Sequence, residues 1–449
     1  MNAGRRQVHI EPSGPLGGYV RVPPSKNYTT RIILAAALAE GRSRVRQPAV
    51  NDDARALVAC CRKLGAKIEE EGGDLDIEGV AGRPANPGRL NPGNAGAVLR
   101  LLLGTACLCK GEVMFETDHP DSLGRRPNED LLAALRRLGA EAEGIGPEGR
   151  LPIRIAGGPD RLRTGATWVS GANSSQYLSS LLFLTPHLEV DTRIEVGSPE
   201  DRQTEAGPQL VSRPLIEQTR EVLQGFGCRI EADLDGLGFD VRGGEHGIGG
   251  PHVVNGDWPS AAALLAAVAV AGGMVKLYGL SEDMQGERRA REAFETMGCA
   301  FMEPEPGELL IHSKGRLGAL AFNGDLATDA VLALVGAACL AEGTSRFTGV
   351  GNLRLKECDR IREPLEELAR IGVAASHGKD WIEIEGRPGG YEGGLEVDAR
   401  GDHRVAQMLA IVGTRCRGGL TIRGAECVSK SYPGFFEDLG RMGVLLDRR

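Results

Sequence analysis

Apolar residues occur along the chain in two different patterns. Residues 261–271 and 331–341 are apolar almost throughout, which predicts helices that are buried on every side. Both runs are shorter than the roughly 20 residues that a membrane-spanning helix needs. Along residues 131–139 the apolar positions instead recur at the spacing of one helix face, and the run stops at Gly139. This second pattern predicts an amphipathic helix that ends at a glycine cap.

The two patterns alternate within a unit of roughly 70 to 80 residues that recurs along the whole chain. Each unit opens with a cluster of polar residues, continues into an Ala- and Leu-rich helix and a short β-like stretch, and closes with an amphipathic helix near a glycine. The six units open at or next to Ser25, Asn94, Asn173, Asp257, Thr328 and Asp402. Such units predict an α/β (α+β) protein whose strands run in mixed directions.

Two segments rich in glycine or proline separate the repeats into two groups. Residues 243–250 lie between the third and fourth units, and Val22, Pro23 and Pro24 lie just before the first. If the first strand pairs with the second half of the chain, both segments are crossings between domains. The sequence then predicts one domain of residues 1–24 and 246–449 and another of residues 25–245, each with three repeats.

The charge and cysteine content limit the possible partners and locations. The chain has 449 residues and a net charge of -8, so it has no basic excess for binding nucleic acid through its phosphates. Its 10 cysteines form no C-x-x-C pair that would indicate a zinc site. Arg5 and Arg6 are not followed by a continuous apolar stretch, so no secretory signal is predicted. We therefore expect a cytoplasmic protein with reduced thiols that binds neither nucleic acid nor membrane.

The polar openings of the units lie where helices are predicted to begin. A helix N-terminus has unpaired N–H groups and a partial positive charge, so several such ends together would attract anions. The alternative is that these Ser, Asn and Asp residues are ordinary helix caps. Capping does not explain the cations Lys26, Arg31, Arg100 and Arg404, which in a first turn would oppose the helix dipole. These cations predict an anionic ligand.

Longer motifs surround these openings. They are Pro24-Ser25-Lys26 with Arg31, Gly93-Asn94-Ala95-Gly96 with Arg100, Arg126-Pro127, Ser174-Ser175-Gln176, Asn352-Leu353-Arg354-Leu355-Lys356-Glu357-Cys358-Asp359-Arg360 and Gly401-Asp402-His403-Arg404. Each motif alone is weakly specific, but together and in this order they extend over nearly the whole chain. In these motifs the sequence resembles the 5-enolpyruvylshikimate-3-phosphate synthase family.

The resemblance implies two similar domains of three βαβαββ repeats each, an inside-out α/β barrel, closing over phosphoenolpyruvate and shikimate 3-phosphate. It implies transfer of the enolpyruvyl group to the 5-hydroxyl with release of phosphate, without a metal or organic cofactor. We also expect a monomer. By similarity, the phosphoenolpyruvate ligands are Lys26, Asn94, Gly96, Arg126, Gln176, Arg360, Arg404 and Lys430. The implied shikimate 3-phosphate ligands are Lys26, Asn27, Arg31, Ser174, Ser175, Gln176, Ser212, Asp329, Asn352 and Lys356.

Two carboxylates match those that the family uses for proton transfer. We assign Asp329 to the acceptor hydroxyl and Glu357 to proton exchange at the methylene carbon, with Lys26 or Lys430 assisting the departure of phosphate. The alternative for Glu357 is a surface ion pair with Lys356 or Arg360. Cys358 has no neighbour in the motif that would activate a thiol, so we expect a structural role.

Three positions depart from the family pattern. Asn27 and Ala97 stand where Ser and Thr are usual, and Leu215 stands where an aromatic residue is common. The expectation for the acceptor is therefore open to a sister enolpyruvyl transferase that acts on UDP-N-acetylglucosamine. Asp121 occupies the loop position where those enzymes usually have a cysteine, although the surrounding loop is similar to theirs. The motifs Ser174-Ser175-Gln176, Lys356-Glu357-Cys358-Asp359-Arg360 and Asp402-His403-Arg404 favour the shikimate branch.

Two further interpretations concern single features of the site. His403 lies between Asp402 and Arg404 at a helix start, where the dipole disfavours its charged form, so we expect a neutral, hydrogen-bonding histidine. A non-catalytic domain that binds anionic metabolites is a third hypothesis for the whole chain, from another class. The carboxylates Asp329 and Glu357 argue against it, because negative charges would weaken the binding of anions in a site that serves only to bind them.

Overall fold

The computed structural model describes residues 7–158, 160–162 and 165–448. Arg5 and Arg6, which bear on the expected lack of a secretory signal, lie outside this part. The chain divides into two compact units, one formed by Met1–Pro24 with Asn255–Arg449 and the other by Ser25–Val254. Within the described ranges, no helix combines the length and the apolar character needed to cross a membrane.

The helices follow the two predicted patterns. They are α1 (Lys26–Leu38), α2 (Asp52–Lys63), α3 (Gly96–Ala106), α4 (Glu129–Arg137), α5 (Gln176–Leu184), α6 (Pro214–Gly225), α7 (Trp258–Ala271), α8 (Arg289–Thr296), α9 (Val331–Ala338), α10 (Arg362–Ile371), α11 (His403–Gly413) and α12 (Phe435–Arg441). The odd-numbered helices are buried on nearly all sides, and the even-numbered helices that alternate with them are buried on one face only.

The strands are short and lie between these helices. They are β1 (Gln7–Ile10), β2 (Leu16–Arg21), β3 (Arg42–Arg46), β4 (Lys67–Glu71), β5 (Asp74–Glu78), β6 (Arg89–Leu90), β7 (Gly111–Phe115), β8 (Glu141–Gly146), β9 (Arg150–Gly157), β10 (Ala166–Val169), β11 (Thr192–Val196), β12 (Ile230–Ala232), β13 (Gly238–Val241), β14 (Pro251–Val253), β15 (Gly273–Tyr278), β16 (Ala300–Met302), β17 (Glu308–Ser313), β18 (Leu317–Gly318), β19 (Ala321–Asn323), β20 (Ala341–Glu342), β21 (Thr344–Thr348), β22 (Ala374–His377), β23 (Trp381–Glu385), β24 (Leu395–Asp398), β25 (Leu420–Arg423) and β26 (Leu446–Arg448).

The strands of each repeat form a four-stranded sheet of one recurring design. In the Ser25–Val254 unit the orders are β14-β3-β5-β4, β6-β7-β9-β8 and β10-β11-β13-β12, and in the other unit they are β2-β15-β17-β16, β19-β21-β23-β22 and β24-β25-β1-β26. The first pair in each order is parallel and the next two are antiparallel. The predicted repeats and mixed strand directions are therefore confirmed.

Each unit has its own apolar core, built around three helices that the sheets cover. These helices are α1, α3 and α5 in one unit and α7, α9 and α11 in the other. The run 261–271 lies in α7, all of whose residues are buried, as predicted. The run 331–341 is helical only as far as Ala338, because Ala341 and Glu342 pair with Leu317 and Gly318 as a short parallel ladder.

The second crossing between the units differs from the predicted one. The sequence placed it at 245/246, whereas the compact units divide at Val254 and Asn255. The physical reason is strand pairing, since β14 (Pro251–Val253) lies parallel to Arg44–Arg46 of β3 and so belongs to the sheet of the first repeat. The first crossing, after Pro24, lies where the sequence placed it.

Two local predictions are also confirmed. Helix α4 ends at Arg137, and Gly139 follows with a φ of +107°, the left-handed region that glycine adopts without the steric cost of a side chain. All ten cysteines are free thiols, and most are buried.

Candidate active site

The polar openings of the repeats lie at the starts of the core helices. Lys26, Gly96, Gln176 and His403 are the first residues of α1, α3, α5 and α11, and Asp329 lies in a helical turn just before α9. The cations are placed differently from the prediction. Lys26 and Arg404 lie in first turns, but Arg31 and Arg100 lie beyond them, so the helix-dipole argument applies only to the first pair.

In the Ser25–Val254 unit, Arg100 positions Gln176. Its Nη1 donates to Gln176 Oε1 at 2.7 Å and to Ser174 Oγ at 3.4 Å, while its Nε donates to Asn128 Oδ1 at 3.2 Å. The guanidinium also lies 5.1 Å from the ring centroid of Tyr177. These contacts hold Gln176 at the start of α5 beside the buried Arg100 guanidinium.

Arg126 lies against the start of α3. A Cβ atom added to Gly96 would lie 2.5 Å from Arg126 Nη1 and 3.7 Å from Gln176 Oε1. Glycine is therefore the residue that lets the buried Arg126 guanidinium approach this helix start. The structure thus brings Gly96, Arg126 and Gln176 together, as the sequence motifs suggested, with Asn94 just before the helix.

Lys26 has a buried acidic partner that the sequence analysis did not identify. Its Nζ lies 3.4 Å from Asp53 Oδ2, and both side chains are largely buried. Asp53 lies in the first turn of α2, whose N-cap is Asn51. Because Asp and Asn are common at any helix start, the sequence contained no signal that separated Asp53 from an ordinary first-turn acid.

Arg31 is buried among neutral oxygen atoms. Its Nε donates to Thr219 Oγ1 at 2.9 Å, and its two terminal nitrogens donate to the carbonyl oxygens of Asn27 and Leu215, each at 3.1 Å. Burial lowers the pKa of this guanidinium to about 10, and the nearby Tyr28 opposes that shift. Leu215, one of the departures from the family pattern, thus contributes through its backbone.

The remaining predicted residues of this unit lie at the starts of helices. Asn27 is buried in the first turn of α1, and Ser175 is the buried residue that precedes α5. Ser174 Oγ accepts from the backbone N–H of Gln176 at 3.2 Å. Ser212 is buried just before α6 with a φ of +53°, and its carbonyl accepts from Leu215 N at 3.0 Å.

In the other unit, one buried arginine joins three carboxylates. Arg360 Nη1 lies 3.0 Å from Asp329 Oδ1, Nη2 lies 2.8 Å from Glu357 Oε2, and Nε lies 2.7 Å from Asp402 Oδ2. Nη2 also donates to Asp402 Oδ1 at 3.2 Å. Burial alone would lower the pKa of Arg360, but the charges of Asp402, Glu357 and Asp329 raise it. Its guanidinium therefore stays charged and orients both predicted catalytic carboxylates.

Lys430 completes this group from the opposite side of Glu357. Its Nζ lies 3.0 Å from Glu357 Oε1, and both side chains are more than nine-tenths buried. The ion pair with Arg360 that was the alternative for Glu357 is thus present, but it is buried rather than on the surface. A carboxylate held between two cations is rigidly placed, which suits a group that must meet one carbon atom of a substrate.

Asp402 connects this group to Arg404. Its Oδ1 accepts from Arg404 N at 2.8 Å, which caps α11. Arg404 Nη1 donates to Gln407 Oε1 at 3.2 Å, and Nη2 lies 3.9 Å from Asp257 Oδ2, a residue at another repeat opening. Arg404 Nε is buried and meets no hydrogen-bond acceptor among the described residues. This cation therefore keeps a donor for a ligand.

The other predicted residues of this unit lie near the same group. Asn352 Nδ2 donates to Thr328 Oγ1 at 3.4 Å, next to Asp329, and Lys356 is half-exposed just before Glu357. His403 is buried, with its Nδ1 3.8 Å from Asp402 Oδ1. Burial and the charge of Asp402 raise the pKa of the Cys358 thiol, which agrees with a structural cysteine.

Sequence reasoning missed one buried acid here. Glu287 Oε1 accepts from the backbone N–H of Asp329 at 3.3 Å. Burial, followed by the charge of Asp329, raises the pKa of Glu287 to about 7. Glu287 lies in a polar stretch before α8 rather than at a repeat opening, so its position in the sequence gave no sign of this contact. Across residues 7–158, 160–162 and 165–448, no group of three or more His, Cys, Asp and Glu side chains is arranged to hold a metal ion.

Comparison with known proteins agrees with these motifs. A family model described as EPSP synthase (3-phosphoshikimate 1-carboxyvinyltransferase) matches residues 10–439. The chain belongs to the EPSP synthase family. The 3-phosphoshikimate 1-carboxyvinyltransferase of Deinococcus radiodurans is 42% identical over 97% of this chain and 96% of its own, and that of Methanopyrus kandleri is 37% identical over 98% and 99%.

Solved structures extend the family likeness to the fold. The EPSP synthase of Acinetobacter baumannii has a TM-score of 0.79 at 29% identity, over 99% of this chain and 100% of its own. The enolpyruvyl transferase NikO of Streptomyces tendae has a TM-score of 0.78 at 16% identity, over 99% of each chain, which establishes a shared fold only. The predicted fold class of the EPSP synthase family is thus confirmed for this chain.

Proposed function

We propose that this chain transfers the enolpyruvyl group of phosphoenolpyruvate to the 5-hydroxyl of shikimate 3-phosphate and releases phosphate. Membership of the EPSP synthase family supports enolpyruvyl transfer in the shikimate pathway. The observation that carries the proposal is the buried group around Arg360, which holds Asp329 and Glu357 in fixed positions. Two placed carboxylates are what a reaction with two proton transfers requires.

Phosphoenolpyruvate binding is assigned to buried cations and the polar groups beside them. The ligand set is Lys26, Asn94, Gly96, Arg126, Gln176, Arg360, Arg404 and Lys430. Guanidinium groups bind carboxylates and phosphates through paired hydrogen bonds, and burial strengthens such contacts because water competes less. The buried Nε of Arg404, which has no acceptor within the described residues, supports this role.

Shikimate 3-phosphate binding is assigned to a second set, with Arg31 as the main cation for an anionic group. The set is Lys26, Asn27, Arg31, Ser174, Ser175, Gln176, Ser212, Asp329, Asn352 and Lys356. Arg31 supports the assignment because hydroxyl and carbonyl oxygens orient it without cancelling its charge. A guanidinium that stays uncompensated favours an anionic ligand.

The reaction then proceeds by addition and elimination. Glu357 first takes up a proton from solvent and then gives it to the methylene carbon. Asp329 takes the proton of the 5-hydroxyl as the hydroxyl oxygen forms a bond to C2. In the second stage a methyl proton returns to Glu357, the bond between C2 and the phosphate oxygen breaks, and the proton from Asp329 leaves on phosphate. Lys26 or Lys430 stabilises the departing charge.

Phosphate release tests this proposal directly. The purified chain is given phosphoenolpyruvate with shikimate 3-phosphate, with UDP-N-acetylglucosamine, or with no acceptor. We expect phosphate release with shikimate 3-phosphate only. Release with UDP-N-acetylglucosamine instead contradicts the acceptor assignment, and binding of both substrates without release in any mixture contradicts enolpyruvyl transfer.

A further inference from the structure

Glu287 is a buried carboxyl group beside a proposed catalytic residue. It lies in the helical turn Gly286–Arg288, only 5% exposed, and this turn packs against Gly324–Ala330, which contains Asp329. The carboxylate oxygen of Glu287 accepts from the backbone N–H of Asp329 at 3.3 Å. In the part of the chain that the structure describes, no Lys or Arg forms an ion pair with Glu287.

The charged groups that face Glu287 are acidic. Asp329 faces it from Gly324–Ala330 and Asp257 from the start of α7, and both charges raise the pKa of Glu287 after the larger effect of burial. Other charged side chains on neighbouring elements point to solvent or to other partners. On α8, Arg289 and Glu292 are exposed and Arg291 pairs with Glu295 and Glu303. The half-exposed Arg288 donates to Asp283 O at 3.1 Å, and the further charged residue of Gly324–Ala330, Asp325, is also acidic.

The two carboxyl groups therefore differ in their electrostatic surroundings. Arg360 Nη1 lies 3.0 Å from Asp329 Oδ1. Among the described residues, Glu287 instead has two backbone N–H groups, its own and that of Asp329, and the like charges of Asp329 and Asp257 beside it. Because the pKa of Glu287 is raised to about 7, Glu287 keeps its proton up to neutral pH beside Asp329.

We propose that Glu287 is a positioning residue for enolpyruvyl transfer, which fixes the backbone of Asp329 and whose ionisation strengthens Asp329 as acceptor of the hydroxyl proton. This inference rests on the proposed function. When Glu287 is protonated, it contributes no charge to the proton affinity of Asp329. When Glu287 ionises, its negative charge raises that affinity, so the 5-hydroxyl proton transfers more easily as the oxygen bonds to C2. Glu287 itself forms no bond to substrate.

The pH dependence of turnover distinguishes this role from a purely structural one. For the wild-type chain with both substrates saturating, we expect kcat to rise through an apparent pKa near neutrality when measured between about pH 5 and pH 9. Glu287→Gln keeps an oxygen acceptor for Asp329 N but cannot ionise, so this rise should disappear and kcat at high pH should fall about tenfold. Glu287→Asp should restore the rise with a displaced midpoint.

Control variants and a second measurement keep the two proposals separable. Glu282→Gln removes an exposed carboxylate of the same segment and should leave the wild-type profile unchanged. If Glu287→Gln lowers kcat equally at every pH, Glu287 is only structural and the inference is overturned. If the wild-type chain releases no phosphate with shikimate 3-phosphate at any pH, the proposed function fails instead.

The pH dependence of the Tm shows the protonation of Glu287 independently of turnover. The folded-state pKa of about 7 lies above the ordinary value of 4.5, so protonated Glu287 favours the folded state. That stability is complete below pH 4.5 and is lost as pH rises through 7. The Tm of the wild-type chain should therefore fall relative to Glu287→Gln between these pH values. If the Tm difference between the two chains is the same at pH 4.5 and above pH 7, the pKa of Glu287 is not raised in the folded state.

Discussion

Arg31 and Arg360 are both buried arginines, but the two units surround them differently. Arg31, in the Ser25–Val254 unit, donates to one hydroxyl and two carbonyl oxygens, whereas Arg360, in the other unit, donates only to carboxylates. Among the described residues, carboxylates pair with Arg360 and none pairs with Arg31. The difference indicates that Arg360 positions acidic side chains of the protein, whereas Arg31 is suited to bind an anionic ligand.

Removing Arg360 should have the largest effect of any single change considered. Arg360→Met leaves the buried carboxylates of Glu357 and Asp402 and the partly exposed Asp329 without their common partner, so we expect the free energy of unfolding to fall by about 3–5 kcal/mol. We also expect kcat to fall by about 10³ or more, because Asp329 and Glu357 lose their orientation. Chemical denaturation and the phosphate assay measure the two effects. Arg417→Met, which removes an exposed pair with Glu392, is the control and should change neither.

Replacing Glu357 tests whether this carboxylate reacts or only pairs with cations. Glu357→Gln keeps the size of the side chain but cannot exchange a proton, so kcat should fall by about 10² to 10⁴ while KM for both substrates stays near the wild-type value. Steady-state kinetics with each substrate varied separates the two constants. A raised KM with unchanged kcat would assign Glu357 to binding. Glu366→Gln, on the partly exposed face of α10, should behave as wild type.

The sequence predicted the fold more completely than the site. Six polar openings followed by apolar runs predicted repeated α/β units, and the structure has one four-stranded sheet design in each repeat. The crossing near 245 was misplaced because the pairing of Pro251 with Arg44 depends on residues far apart in sequence. Long-range pairing of this kind leaves no local pattern of hydrophobic positions.

The site shows the same division between local and distant information. The motif containing Glu357 and Arg360 and the motif containing Asp402 were found as short segments, but not that Arg360 joins both motifs to Asp329. Glu287 and Asp53 were missed because each is an ordinary acid in the sequence and gains its meaning only from a buried partner. The sequence motifs therefore identified most of the site residues, but which of them form ion pairs could be seen only in the folded structure.

Arg31 offers the reverse of the Arg360 experiment. Arg31→Met removes a buried cation that has no carboxylate partner among its hydrogen bonds, so the free energy of unfolding should change by less than about 2 kcal/mol in either direction. Because we assign Arg31 to shikimate 3-phosphate, KM for that substrate should rise about 10²-fold. Arg55→Met, at an exposed pair with Asp52, is the control. A large loss of stability with unchanged KM would place Arg31 with Arg360 as a structural cation.

The smallest expected effect tests how closely a cation of the Ser25–Val254 unit must approach its helix. Gly96→Ala places a methyl group about where a Cβ lies 2.5 Å from Arg126 Nη1, so the guanidinium must move. Its flexible end can do so without unfolding α3, and we expect KM for phosphoenolpyruvate to rise about tenfold, or about 1.4 kcal/mol, with little change in kcat. Gly225→Ala, whose added methyl meets no atom within 4 Å, is the matched control. An unchanged KM for phosphoenolpyruvate would show that Arg126 does not bind this substrate. Its cationic ligands would then lie mainly in the unit that contains Arg360.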